Sequence, residues 1–124
     1  MSRKVTRLHR GLEHNQPGLA ILAGKITLDG SGDQSALDFP GVASVTHDDT
    51  GDYTINLDDE YAALRGFVAT VEKATAQTLI TQVTDDDVQN GTISITFTGD
   101  DGAAEDPTTC AIHAIIYLDT LLGS

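Results

Sequence analysis

The clearest pattern in the chain is a strict alternation of hydrophobic and polar residues. In "YTINL", Tyr53, Ile55 and Leu57 are separated by single polar residues. The segment "TISITFT", residues 92–98, repeats this pattern with two isoleucines and a phenylalanine. Side chains along a strand point alternately to the two faces of a sheet, so both segments are predicted to be strands with one face in the core.

Other segments combine similar spacing with many threonines and valines, whose branched side chains suit a pleated surface. In the first of them, Leu22, Ile26 and Leu28 fall on one face. The full set of predicted strands is about 20–29, 42–47, 53–57, 66–73, 77–84, 92–98 and 110–118.

Glycine, asparagine and aspartate mark the connections between these strands. Gly51 in "HDDTGD" and Asn90-Gly91 in "DDDVQNG" are typical of tight turns between paired strands. The stretch "LDGSGDQS" predicts a flexible connection after the first strand, and "GDDGAAEDP" predicts a longer exposed loop. Only "DDEYAALRG" favours helix, as a single turn that crosses from one sheet to the other. About seven short strands with polar turns predict an all-β fold, either an antiparallel β-sandwich or a small barrel.

Charge divides the chain of 124 residues into two parts. Residues 1–14 carry a net charge of +3 and the remaining residues carry −15, which gives −12 for the whole chain. We therefore expect an extended basic N-terminal arm at residues 1–18 and a single β-sandwich domain at residues 19–124. Because so acidic a domain repels nucleic acid and anionic membranes, neither is expected as a partner.

The acidic turns raise the question of a calcium site. A helical calcium loop needs a glycine at position 6 and a glutamate at position 12. With Gly51 or Gly102 at position 6, position 12 is Leu57 or Thr108, so neither turn fits. A looser calcium site in the acidic turns stays open, beside the alternative that these acids simply keep the turns solvated.

The sequence offers little for catalysis or for a transition metal. Cys110 and His113 are three residues apart, which on a strand places them on opposite faces, so they cannot share an ion or act as nucleophile and base. The chain has no Gly-x-Ser-x-Gly nucleophile turn, and "DGSGD" is too short for a phosphate loop. It also has no tryptophan to stack on a sugar. We therefore predict a non-enzymatic protein with no cofactor and no metal.

The last predicted strand, "CAIHAIIYL", is mostly apolar on both faces, whereas a solvated sandwich strand should alternate with polar residues. One face includes Ile112 and Ile116, and the other carries His113, Ile115 and Tyr117. We expect the second face to form an interface between subunits. The alternative is that a loop or the N-terminal segment covers it.

The order "TGDYTINLDDEYAALRGFVATV", "NGTISITF" and "GAAEDPTTCAIHAIIYL" resembles a class of small virion structural proteins of tailed bacteriophages. The resemblance covers about residues 40–118, and the N-terminal forty residues depart from it. The matching positions are Thr50, Gly51, Tyr53 and Thr54; Asp59, Tyr61 and Leu64; Gly91 and Thr92; and Gly102 to Ala104.

This resemblance implies a β-sandwich that decorates or cements the capsid from its outer surface, after synthesis in the cytoplasm of the bacterial host. The implied partners are the major capsid protein and further copies of the chain, with a trimer as the expected oligomer. A tail or receptor-binding module of a phage is the alternative. The receptor-binding alternative would place its specificity in the acidic loops of residues 48–52, 85–90 and 99–106, whereas for the decoration protein the arm is the expected binding segment. Its contact residues are Arg3, Lys4, Val5, Arg7, Leu8, Arg10 and Leu12.

Overall fold

A computed structural model of the chain describes residues 18–120. This part of the chain contains eight strands and one short 3-10 helix, η1. The strands are β1 (Leu19–Leu28), β2 (Gln34–Asp38), β3 (Val42–Asp49), β4 (Asp52–Leu57), β5 (Ala63–Glu72), β6 (Ile80–Asp87), β7 (Thr92–Thr98) and β8 (Cys110–Asp119), and η1 (Val88–Asn90) lies between β6 and β7.

The strands form two four-stranded antiparallel sheets. Sheet A has the order β2-β1-β8-β5, and sheet B has the order β3-β4-β7-β6. Hairpins join β1 to β2, β3 to β4 and β6 to β7, whereas β8 returns from the end of the chain to the middle of sheet A, between β1 and β5. The predicted antiparallel β-sandwich is therefore confirmed, with eight strands in two separate sheets.

The core lies between the inward faces of the two sheets, and the alternating segments supply it. In β4, Tyr53, Ile55 and Leu57 are buried, and β7 and β8 each contribute every second residue in the same way. Phe97 and Ile116 are completely buried, one from each sheet. Burial of each large side chain contributes about 1.5–3 kcal/mol, so the alternation largely determines which face of each strand points inward.

The stretch predicted to be a flexible connection is only partly so. Residues 29–33 do form a turn, but β2 begins at Gln34 and pairs with β1 at the edge of sheet A. Only Leu37 of this strand packs against the core. The side chain of Gln34 also accepts a hydrogen bond from the backbone N–H of Val45 in β3, at 2.7 Å. An edge strand with only one core residue shows no alternation of hydrophobic and polar residues in the sequence. It is recognised as a strand only by its pairing with β1.

The helical turn predicted for residues 58–66 is wrong. This segment does cross from sheet B to sheet A, but its backbone bonds to other segments and β5 begins at Ala63. The N–H of Tyr61 donates to the carbonyl of Val88 at 2.9 Å, and the N–H of Ala62 donates to the carbonyl of Asp119 at 2.7 Å. Burial of the Tyr61 ring fixes the crossing, because tertiary packing overrides the weak helical preference of the local sequence.

Candidate functional site

The candidate functional site is the outward face of sheet A, where the register of three strands brings apolar side chains together. Ile115 of β8 lies between Ala23 of β1 and Val68 of β5. In the next outward row, Tyr117 lies between Ile21 and Gly66. Among these, Val68 is 54% exposed, Ile21 38% and Ile115 36%. We call the set Ile21, Ala23, Val68, Ile115 and Tyr117 the outer patch.

Polar side chains of both signs border the outer patch at each end. On one side, His113 lies between Lys25 and Thr70 and bonds the carboxylate of Glu72 at 2.8 Å. This hydrogen bond, together with the charge of His113, lowers the pKa of Glu72. On the other side, Arg65 donates to the carboxylate of Asp119 at 2.8 Å. Asp38 of the neighbouring β2 pairs in register with Lys25.

Charge on this face differs from charge on the rest of the domain. Residues 18–120 contain three basic side chains, from lysine and arginine, and eighteen acidic ones. Two of the three bases, Lys25 and Arg65, lie on the outward face of sheet A. Only three of the eighteen acids lie on the same face, and these are Asp38, Glu72 and Asp119. The face is close to neutral, and nearly all of the excess negative charge lies elsewhere on the domain.

The structure places the three predicted interface residues side by side along β8. His113 and Ile115 are exposed and Tyr117 is half-buried, while the alternate residues of the strand are buried. The contributions of Ile21 and Ala23 from β1 and of Val68 from β5 were not predicted. A signal for Val68 is present in the sequence, because Phe67, Ala69 and Val71 alternate along the predicted strand 66–73 as inward residues do, which leaves Val68 pointing outward. The predicted arm residues, Arg3 to Leu12, lie outside the described residues.

A second polar cluster joins three segments at one end of the sandwich. The ring of His47 in β3 contacts Asp33 through Nδ1 at 2.7 Å and Asp106 through Nε2 at 2.8 Å. It stacks on the ring of Tyr53, with centroids 4.6 Å apart. Asp106 also accepts a hydrogen bond from the N–H of Gly51 at 2.6 Å. We call His47, Asp33 and Asp106 the histidine clasp.

Both contacts of the clasp are hydrogen bonds to ionised carboxylates only when the imidazole carries a proton on each nitrogen. Desolvation of the ring lowers the pKa of His47, but the hydrogen bonds to Asp33 and Asp106 and the charges of these carboxylates outweigh it, so the pKa is raised above 6.5. Burial raises the pKa of Tyr53, which donates its hydroxyl proton to the carbonyl of Gly32 at 2.6 Å. The clasp therefore holds the turn of residues 29–33 and the loop of residues 99–109 against β3.

The histidine clasp is not arranged as a metal site, and Cys110 and His113 are not arranged as a nucleophile and its base. Asp33 and Asp106 contact opposite nitrogens of His47, so the three side chains do not converge on one point. No group of three or more histidine, cysteine or acidic residues within residues 18–120 is placed to hold a metal ion. Cys110 faces the core, and burial raises the pKa of its thiol, whereas His113 faces outward as the spacing predicted.

The acidic turns do not form one surface. The loops of residues 48–52 and 99–106 are adjacent, because both bond to the end of β7. The N–H of Phe97 donates to the carbonyl of Gly51 at 2.8 Å, and the N–H of Glu105 donates to the carbonyl of Phe97 at 3.0 Å. Residues 85–90 lead into the turn at the opposite end, where Leu57 donates to the carbonyl of Gly91 at 2.8 Å. The three loops that the receptor-binding alternative would use therefore do not meet at one place on the domain.

A comparison of the chain with protein-family models, with curated proteins and with solved structures finds no match. Within residues 18–120 there is no helix long and apolar enough to cross a membrane.

Proposed function

We propose that the protein is a non-enzymatic structural protein of a tailed-bacteriophage virion, a decoration protein that binds the outer surface of the capsid as a homo-oligomer. The observation that carries this proposal is the outer patch, because an apolar row shared by three strands on an otherwise acidic sandwich is typical of a surface that is covered in an assembly. The order of hairpin motifs in residues 40–118 supports the phage assignment.

The proposed role is mechanical. Arms from neighbouring copies cross the joints between major capsid subunits and oppose the outward pressure of packaged DNA. Arg3, Lys4, Arg7 and Arg10 pair with acidic patches of the capsid, while Val5, Leu8 and Leu12 fill apolar grooves or the arm adds a strand to a sheet edge. An exposed ion pair contributes only about 0–1 kcal/mol, so the affinity comes from buried apolar area and from the number of arms in each oligomer.

The arm is tested by occupancy on undecorated capsids. Deletion of residues 2–14 is expected to abolish stable binding, while the circular dichroism of the domain is unchanged. A full-length variant with Arg3, Lys4, Arg7 and Arg10 changed to glutamate retains the apolar residues of the arm and reports the electrostatic share alone. Full occupancy by the deletion variant would show that the arm is not the binding segment.

The alternative is a receptor-binding module of the tail. The specific observation for it is that the loops of residues 48–52 and 99–106 lie together at one end of the sandwich, fixed by Asp106. In that case the isolated protein binds a defined glycan on an array, and charge reversal in the arm leaves this binding unchanged.

A further inference from the structure

We infer that the outer patch is the surface on which a second copy of the chain docks, so that the outer patches of neighbouring copies pack against one another. This inference rests on the proposed function, which requires copies of the chain to assemble. It deepens that function by naming the surface and its occupant. It extends the predicted interface of His113, Ile115 and Tyr117 to residues of β1 and β5.

The outer patch is continuous across the sheet. Val68, Ile115 and Ala23 form one row across three adjacent strands, and Ile21 and Tyr117 extend it into the next row. Exposed hydrophobic residues that stand alone are normal on a protein surface, but side chains in register across neighbouring strands form one contiguous area. Ile80 of β6 is such a single residue, 59% exposed but on the edge strand of the other sheet.

Charge determines where two copies of so acidic a domain can meet. Contact through any of the acidic turns brings like charges together, and this repulsion costs free energy. The outward face of sheet A is close to neutral, so copies that meet there avoid most of the repulsion. The charges bordering the patch are of both signs on each side, with Lys25 near Glu72 on one and Arg65 beside Asp119 on the other.

The outward face of sheet A suits a second copy better than a partner of strong positive or negative charge. A strongly cationic partner gains most at the acidic turns and little at a face close to neutral, whereas an anionic partner is tolerated here only where it presents a near-neutral face of its own. A second copy brings such a face, with the same apolar rows and with borders that hold charges of both signs. The chemistry of the face is therefore compatible with that of a second copy.

The experiment measures the molar mass of the full chain by sedimentation equilibrium, without any capsid. The wild-type protein is expected at a multiple of its 13.1 kDa chain mass. Val68→Glu and Val68→Lys are both expected to sediment as folded monomers, because either charge is desolvated in the contact. The lysine variant lowers the net negative charge, so loss of the oligomer in both variants shows that burial of Val68 is what matters.

Ile80→Lys is the matched control, since it makes the same change at an equally exposed residue of sheet B, and it is expected to keep the wild-type mass. Ile115→Glu is a second disrupting variant should a substitution at Val68 prevent folding.

A monomeric wild-type chain at tens of micromolar, or a Val68→Lys variant of unchanged mass, would overturn the inference. So would loss of the oligomer in a Leu8→Glu/Leu12→Glu variant alone, which would assign the contact to the arm. Capsid occupancy of the wild-type chain tests the proposed function separately.

Discussion

At the scale of single residues, the charge state of His47 controls a connection between three parts of the chain. Its two ring nitrogens face Asp33 and Asp106, and the ring stacks on Tyr53, which stays neutral because burial raises its pKa. The carboxylate of Asp29, at the start of the same turn, adds negative charge near Tyr53. A neutral imidazole has one N–H and leaves one carboxylate facing a nitrogen lone pair.

The clasp predicts a pH dependence of stability. Because the pKa of His47 is raised above 6.5 in the folded protein, its contribution is fully present below pH 6.5 and is lost as the pH rises through the folded value. The wild-type protein should exceed His47→Gln in unfolding free energy by about 1–2 kcal/mol at pH 5.5, and by less at pH 9. Urea unfolding of both proteins at several pH values measures this difference. Repulsion among the other acids affects both proteins alike, so it cancels when the two free energies are subtracted.

Asp106→Asn provides the control for this measurement. The amide can still accept from the N–H of Gly51 but carries no charge. When His47→Gln is added to Asp106→Asn, the pH-dependent part of the loss in unfolding free energy should therefore be smaller than in the wild-type background, while the variant remains folded. A difference between wild type and His47→Gln that is constant from pH 5.5 to pH 9 would mean that folding does not change the pKa of His47.

The clasp also shows what a single sequence does not reveal at this scale. His47 is 14 residues from Asp33 and 59 residues from Asp106, and no motif connects them. His113 was predictable as an outward residue, since it belongs to an alternating strand whose register follows from its apolar neighbours. A contact between loops depends instead on the order of strands in two sheets, which the alternation leaves open.

At the scale of strands, the connection from β2 to β3 depends on a close approach of two backbones. Gly24 of β1 faces Phe39, and a Cβ at this position would lie 2.5 Å from the Phe39 Cα and 2.6 Å from the carbonyl oxygen of Asp38. These are mainly backbone atoms, so neither strand can yield without losing its pairing. Gly24 therefore allows Phe39, which is buried, to reach the core.

Gly24→Ala is accordingly expected to destabilise the protein by about 2–4 kcal/mol, through separation of β2 from β1. The measurement is the unfolding free energy from urea titration. Gly30→Ala is the matched control, because a Cβ there meets only the Thr109 hydroxyl at 3.7 Å, and it should change stability by less than about 1 kcal/mol. Equal stability of the two variants would contradict the close approach.

The strands themselves were predictable in proportion to their alternation. β4 and β7 each have every second residue buried, and their predicted positions agree with the structure. β2 was missed because it contributes one core residue, and the segment of residues 58–66 was misassigned because its bonds go to Val88 and Asp119, far away in sequence. The local hydrophobic pattern identifies strands that bury one face. It fails where pairing or packing with a distant segment determines the local structure.

At the scale of the whole molecule, the separation of charge from apolar surface determines how the proposed oligomer responds to salt. The domain carries a net charge of −15, nearly all of it away from the outward face of sheet A. Repulsion between copies is long-range and is screened over about 10 Å at 0.1 M salt, whereas burial of Val68 and Ile115 is not weakened by screening. The two contributions therefore separate in a salt titration.

We expect the association constant of the wild-type chain to increase roughly tenfold between 20 mM and 500 mM sodium chloride, equivalent to about 1.4 kcal/mol, as repulsion between the acidic domains is screened. Sedimentation equilibrium at each salt concentration measures it. Arg65→Gln, which removes the exposed ion pair with Asp119, should lower the constant only slightly and keep the same salt trend, since such pairs contribute about 0–1 kcal/mol. Dissociation on adding salt would instead mean that ion pairs hold the copies together, and the apolar rows of sheet A would then lose their assigned role in the contact.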